Sequence, residues 1–142
     1  MQTQIPLFRA KKVNSDEYIE GCGIDENFLI EKIKLLRDEK GDPSLEQRYE
    51  AVYHQIDIST LSINFPDMLD SQGNKIFASL SEDGKGGDIV NIFGKGLCYL
   101  TSDIDGIQAH IINNTANIFD DIFPFSEALM EKDVGTITGI QQ

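Results

Sequence analysis

The sequence predicts a mainly β (α+β) domain: a small barrel or strongly bent antiparallel sheet carrying one inserted helix and a short C-terminal helix. Two observations lead there. Turn-rich blocks, Ser71-Gln72-Gly73-Asn74 and Asp83-Gly84-Lys85-Gly86-Gly87-Asp88, alternate with short runs of β-branched and aromatic residues. One longer stretch, Glu26 to Lys40, instead spaces its apolar residues as a helix does.

Gln4 to Ala10 reads as a short strand, confined by Pro6 to an edge or a strand start. Val13-Asn14-Ser15-Asp16 is the turn into a second strand, Glu17 to Ile24. The helix follows from about Glu26 to Lys40: Asp25 is its N-cap, Glu26 suits the positive end of the dipole, Leu29, Ile33 and Leu36 share a face, and Gly41 is the stop. That face needs a cover, either the β core or a neighbouring subunit. After the loop Asp42-Pro43-Ser44, Ala51 to Ile56 and Ile58 to Phe65 read as two strands, with the apolar register changing near Ile58.

Gly73 accepts positive φ at no steric cost, so the chain reverses there and Lys75-Ile76-Phe77 leaves as a strand. Ile89 to Phe93 and Leu97 to Thr101 pair through Gly94-Lys95-Gly96. Ile107 to Ile112 is the next strand, Ser126 to Lys132 gives one or two helical turns, and Val134 to Ile140 is the closing strand. Ile118 to Phe125 is dense in apolar residues without a clear period. Its Ile118, Phe119, Ile122, Phe123 and Phe125 form the best candidate interface, with core packing as the plainer reading.

A length of 142 residues fits one domain, 1–142, able to bury roughly 68–70% of its unfolded surface. The balance of 24 acidic against 12 basic residues gives a formal charge of −12, which repels a polyanion. Lys11-Lys12 and the set Lys32, Lys34, Arg37 and Lys40 are the basic concentrations, and direct nucleic-acid binding is not expected. No apolar run approaches the ~18 residues of a membrane span, and Met1 to Pro6 lacks the pattern of a signal peptide. A cytosolic chain with Cys22 and Cys98 far apart is expected to hold two buried thiols rather than a disulfide.

Leu7-Phe8-Arg9-Ala10, Tyr18-Ile19-Glu20-Gly21, the block from Asp67 to Phe77 with Gly87-Asp88-Ile89-Val90, and Asp133-Val134-Gly135-Thr136-Ile137 follow one another in an order that resembles the YopX-like proteins of phages and prophages. Lys11-Lys12 stands where that family has Trp-Asp, and Ala78 to Gly86 is longer than its counterpart. The resemblance implies an SH3-like barrel with a helical insertion, a phage or prophage origin and the bacterial host cytoplasm. It implies no chemistry, because the family brings no functional residues to carry over.

Thr101-x-Asp103-x-Asp105-Gly106 is spaced like a calcium loop, but Thr101 replaces the first carboxylate and Ile112 stands where the bidentate Glu belongs, so a surface turn is expected. Gly84-Lys85-Gly86-Gly87 and Gly94-Lys95-Gly96 lead into strands rather than helices and read as hairpin turns, not phosphate loops. His54 and His110 are the only imidazoles and lack ligand spacing. Asp67, Asp70, Asp103, Asp105, Asp120 and Asp121 are plentiful, but acid–base work needs environments that push two pKa values apart.

No catalytic, metal-binding or cofactor-binding residue is therefore assigned, and no cofactor is expected. The expectation is a non-enzymatic accessory protein, homo-oligomeric, working through contacts with itself and with a host or phage protein. The alternative is an acidic nucleic-acid mimic that blocks a host DNA- or RNA-binding protein. Weakest is an enzyme pairing Cys22 or Cys98 with His54 or His110.

Overall fold

The computed structural model describes residues 6–36, 48–113 and 121–142. Among them the chain is mainly β, with one short helix. The N-terminal strands are β1 (Leu7–Lys12), β2 (Tyr18–Gly21), β3 (Gly23–Asp25), β4 (Phe28–Leu36) and the long β5 (Arg48–Asn64). Then come β6 (Ala78–Ser79), β7 (Asp88–Ile92), β8 (Gly96–Asp103), β9 (Gly106–Ile111), β10 (Ile122–Pro124), helix α1 (Phe125–Met130) and β11 (Val134–Ile140). The main path through the sheet runs β10-β9-β8-β6-β5-β1-β2 and stays open, with β7, β11, β4 and β3 branching from it.

The helix expected over Glu26 to Lys40 is absent from its described part: Phe28–Leu36 is strand β4, paired antiparallel with β5. Asp25, the expected N-cap, lies opposite Phe28 across a two-residue turn in which Glu26 takes φ +53°. The helical spacing has a physical source. The register passes from Ile30↔Tyr53 to Lys32↔Val52 and Ile33↔Ala51, so Glu31 is an extra residue in β4. A bulge of this kind breaks the period-2 alternation that would mark a strand in the sequence. The expected stop at Gly41 and the loop Asp42-Pro43-Ser44 lie outside the described residues.

The two strands expected between Ala51 and Phe65 are one. Opposite β1 the partner moves from Arg9↔Ser62 to Lys11↔Asp57, so β5 loops out its extra residues there while the ladder continues on both sides. Thr60 Oγ1 fixes this kink, donating to Asp57 O at 2.7 Å and accepting from Lys11 N at 2.9 Å. Lys75-Ile76-Phe77 is not a ladder strand. Only Lys75 bridges, to Leu69, while Ile76 and Phe77 are buried. The Gly94-Lys95-Gly96 reversal, the β8–β9 hairpin and Val134–Ile140 stand as expected.

Two apolar centres organise the described chain. One gathers Ile76, Ala78, Val90, Ile92, Leu100 and Ala109 under Phe125 and Ala128 of α1. The other gathers Ala10, Leu29, Ile56 and Leu61, flanked by Phe8, Ile19 and Ile24. Each fully buried Leu, Ile or Phe contributes roughly 1.5–3 kcal/mol. Phe125 is fully buried and Phe123 packs against the first centre, whereas Ile122 is half exposed; Ile118 and Phe119 lie outside the described residues. Of the described residues of the expected interface, Phe123 and Phe125 thus belong with the core and Ile122 does not.

Candidate functional site

Between the two centres lies a charged clasp. Strand β1 carries Arg9 towards the connector before β7, where its Nη2 donates to Gly86 O at 2.8 Å and to Asp88 Oδ1 at 2.9 Å. The other oxygen of Asp88 accepts from Phe77 N at 2.8 Å. The guanidinium lies over the Phe77 ring, 4.5 Å from its centroid, an arrangement suited to a delocalised cation. Asp88 is only 1% exposed, and burial raises its pKa above the ordinary value although Arg9 and the Phe77 amide both pull it down. Arg9 Nε is buried without a hydrogen-bond partner.

A second clasp is built on Asp70. Its Oδ1 accepts from Gln72 N and Asn74 N, and its Oδ2 from Asn74 Nδ2 and from Ile137 N of β11. Burial alone would raise its pKa, but the Asn74 amide, the Asn74 side chain and the Gln72 and Ile137 amides together lower it. Arg9, Asp70 and Asp88 all come from the blocks on which the family resemblance rests, and each is occupied by internal partners. These carboxylates hold loops and strands together, and their paired geometry leaves no open acid–base dyad.

The amides of the glycine loop at residues 84–87 are engaged by the protein's own acceptors. Gly84 N donates to Ser81 O, Lys85 N to Asp83 Oδ1, Gly86 N to Gln141 O and Gly87 N to Gly84 O, so the four glycine-loop amides at 84–87 already have acceptors. The connector joins β6 to β7, which are not paired with each other, and so is not the hairpin expected. Thr101, Asp103, Asp105 and Gly106 form the β8–β9 hairpin, with Asp105 N donating to Asp103 Oδ1 at 2.8 Å. Among the described residues no group of three or more His, Cys, Asp or Glu side chains is placed to hold a metal. No helix there is long and apolar enough to cross a membrane.

The cysteines and histidines are kept apart by strand alternation. Cys98 lies opposite Ile111 and faces the core, where burial raises its thiol pKa to about 11. His110 lies opposite Tyr99 on the other face, so neighbouring residues on one strand point away from each other. Cys22, expected to be buried, is exposed, because it occupies the break between β2 and β3. Its amide and thiol both turn to Ile30 O, at 2.8 and 3.6 Å. His54 stands 3.7 Å from Glu31.

One grouping was not anticipated. His110 Nε2 lies 2.8 Å from Thr101 Oγ1, and the His110 ring stacks on Tyr99 with centroids 4.6 Å apart and planes 5° from parallel. Desolvation lowers the His110 pKa, with Asp103 acting against it, which favours the neutral ring. Alternation on β8 and β9, which aligns Tyr99, Thr101 and His110, is the signal that could have found it. Thr101 is 6% exposed, and its hydroxyl faces the imidazole rather than an open pocket.

Lys11 and Lys12 line a cleft of about 690 Å³ with Asn14, Asp16, Asn27, Gln55 and Asp57. Lys12 pairs with Glu17 at 3.3 Å, and the Asp57 pKa is lowered first by the Ser59 hydroxyl and then by the Ser59 amide, Lys85 and Lys11. The cleft is largely polar and of mixed charge. Two exposed apolar side chains, Val13 and Ile58, line the same cleft, and others lie elsewhere. Phe28 and Tyr53 meet edge to face at 6.3 Å, and Leu97, Ile112 and Ile122 stand half exposed around the β8–β9 ladder. Comparison with family models, with curated proteins and with solved structures found no match.

Proposed function

We propose that this chain is a non-enzymatic phage or prophage accessory protein of the YopX-like kind, self-assembling and acting through protein contacts in the bacterial host cytoplasm. The observation that carries the self-assembly is the neighbouring pair Phe28 and Tyr53, 41% and 49% exposed and stacked edge to face on a sheet surface. Rings that touch each other yet remain half in water are the kind of patch a partner covers. The non-enzymatic reading is supported by the internal engagement of Arg9, Asp70 and Asp88 and by the protonated state of the Cys98 thiol at neutral pH.

The SH3-like barrel belongs to the same proposal, limited to β1 to β5. Ladders join β1 to β2, β3 to β4, β4 to β5 and β5 to β1, and β2 and β3 are successive segments separated by Cys22. That order of pairing supports a small barrel interrupted at one residue. Native mass spectrometry and light scattering on the purified chain test the functional reading. Assemblies of defined stoichiometry are expected. A strictly monomeric chain that binds a nucleic-acid-binding protein in a salt-sensitive way would instead favour the acidic mimic, a reading that rests on the −12 charge.

A further inference from the structure

Two Asp-Gly pairs occur in the sequence, Asp83-Gly84 and Asp105-Gly106. Such a pair has a chemistry of its own. Glycine has no Cβ to screen its amide nitrogen, so the aspartate carboxyl ahead of it can close onto that nitrogen in a five-membered ring. Closure needs a carboxyl free to turn and a peptide free to follow, and the fold treats the two pairs differently.

Asp83 is held in place. Its Oδ1 accepts from Lys85 N at 3.0 Å, Gly84 N donates to Ser81 O at 3.1 Å, and Gly84 O accepts from Gly87 N at 3.0 Å. Gly84 is buried, and a Cβ there would run into the Tyr99 ring. Asp105 instead stands at the tip of the β8–β9 hairpin, beside the fully exposed Ile104. Asp105 and Gly106 are both exposed, and apart from the adjoining residues nothing described lies within 4 Å of where a Gly106 Cβ would stand. Among the described residues the Asp105 carboxylate takes no hydrogen bond, while the Asp105 amide donates to Asp103 Oδ1 at 2.8 Å. The nearest rung, Asp103↔Gly106, is the last of the hairpin, where a ladder opens at least cost.

We infer that Asp105 is a site of self-modification, its carboxyl condensing with the Gly106 amide to a succinimide that reopens to isoaspartate. Gly106 N bonds to Asp105 Cγ, the Cγ–O bond breaks, and the carboxyl hydroxyl leaves as water with the amide proton. One water then adds back. It breaks either the new bond from Cγ to Gly106 N, which restores aspartate, or the original bond from the Asp105 carbonyl carbon to Gly106 N, which leaves isoaspartate. No other reactant is needed. In the product the main chain runs through Asp105 Cβ and Cγ, one carbon longer, and the former main-chain carbonyl becomes a free carboxylate. The step is independent of the assembly proposed above.

The test is to age the full chain in neutral buffer at physiological temperature, with and without urea. Digestion and electron-transfer mass spectrometry then distinguish isoaspartate from aspartate at each position. In the folded protein isoaspartate should gather at 105 at least about tenfold faster than at 83, because the 83 site reacts only when its packed connector opens. In urea that unfolds the chain the two rates should approach each other, since both pairs are then the same dipeptide in a solvated chain. Methyl label from S-adenosylmethionine, delivered by an isoaspartate carboxyl methyltransferase, should fall on the aged peptide that holds residue 105. Equal rates at the two sites of the folded protein, isoaspartate at 105 that forms only in urea, or label on the 83 peptide in place of the 105 peptide would each overturn the inference.

Discussion

Replacing Arg9 with Met would leave the Asp88 carboxylate, 1% exposed, facing an apolar side chain in place of a guanidinium 2.9 Å away. Breaking one half of a buried pair costs about 3–5 kcal/mol. With a denaturant slope of about 1–3 kcal/mol per molar urea, the unfolding midpoint should fall by roughly 2 M. The pH dependence identifies the cause. The Asp88 pKa is already raised in the folded protein by burial, and Arg9 is among the groups that oppose this rise, so the Met variant raises it further. A carboxyl with a raised folded pKa holds more protons folded than unfolded between its ordinary value near 3.9 and its folded value. Stability in that window therefore increases as pH falls, by up to about 1.4 kcal/mol per pH unit for one group.

The double variant Arg9→Met with Asp88→Asn provides the comparison, since nothing at its clasp titrates. At neutral pH the single variant should be the weaker of the two, because it alone buries an unpaired charge. As the pH falls and Asp88 takes up a proton, the two should converge. Urea unfolding of both variants from pH 7.5 downward, followed by circular dichroism, measures the difference. A gap that stays constant with pH would refute the claim that a buried, uncompensated carboxylate sets the cost.

Two further outcomes follow from the backbone and the thiols. Gly86 has φ +85°, and a Cβ there would drive into the Thr60 backbone, whereas Gly94 has φ +83° with open space around it. Gly94→Ala should lose about 1–2 kcal/mol from its left-handed backbone alone. Gly86→Ala should lose clearly more in thermal unfolding, and equal losses would contradict the close approach of the 83–87 connector to β5. In the native protein a thiol reagent at mildly alkaline pH should modify exposed Cys22 and spare Cys98, whose pKa of about 11 and burial protect it until urea is added. Equal reaction rates for the two thiols would show that β8 is not packed as described.

Local turn chemistry was readable in the sequence because it depends on neighbours in the chain. Gly73 at φ +82°, the Gly94–Gly96 reversal and the closing strand Val134–Ile140 needed no tertiary information. Segments whose pattern is broken by an extra residue were misread. Glu31 shifts the phase of β4 and breaks its alternation, and the residues looped out after Asp57 make β5 look like two strands. In each case the partner strand decides, and the partner lies far along the chain.

The candidate site was less legible still. Arg9 and Asp88 were both recognised as members of characteristic blocks, yet nothing local indicates that residues 79 positions apart share a hydrogen bond. Cys22 was expected inside because its neighbours Gly21, Gly23 and Ile24 read as one continuous strand. The break in pairing at that residue turns it outward. The His110 and Tyr99 stack depends on cross-strand register, which alternation can suggest only once the hairpin pairing is known.

The single extra residue in β4 also constrains how this segment can vary in length. Deleting Glu31, or inserting one residue beside it, would slip the β4–β5 ladder by one residue beyond that point and exchange the two faces of β4 there. Substitutions that keep the count preserve the two faces, and a paired change of two residues restores them. Descendants of this sequence should therefore tolerate many side chains at position 31 but hold the number of residues between Ile30 and Ile33 fixed in parity.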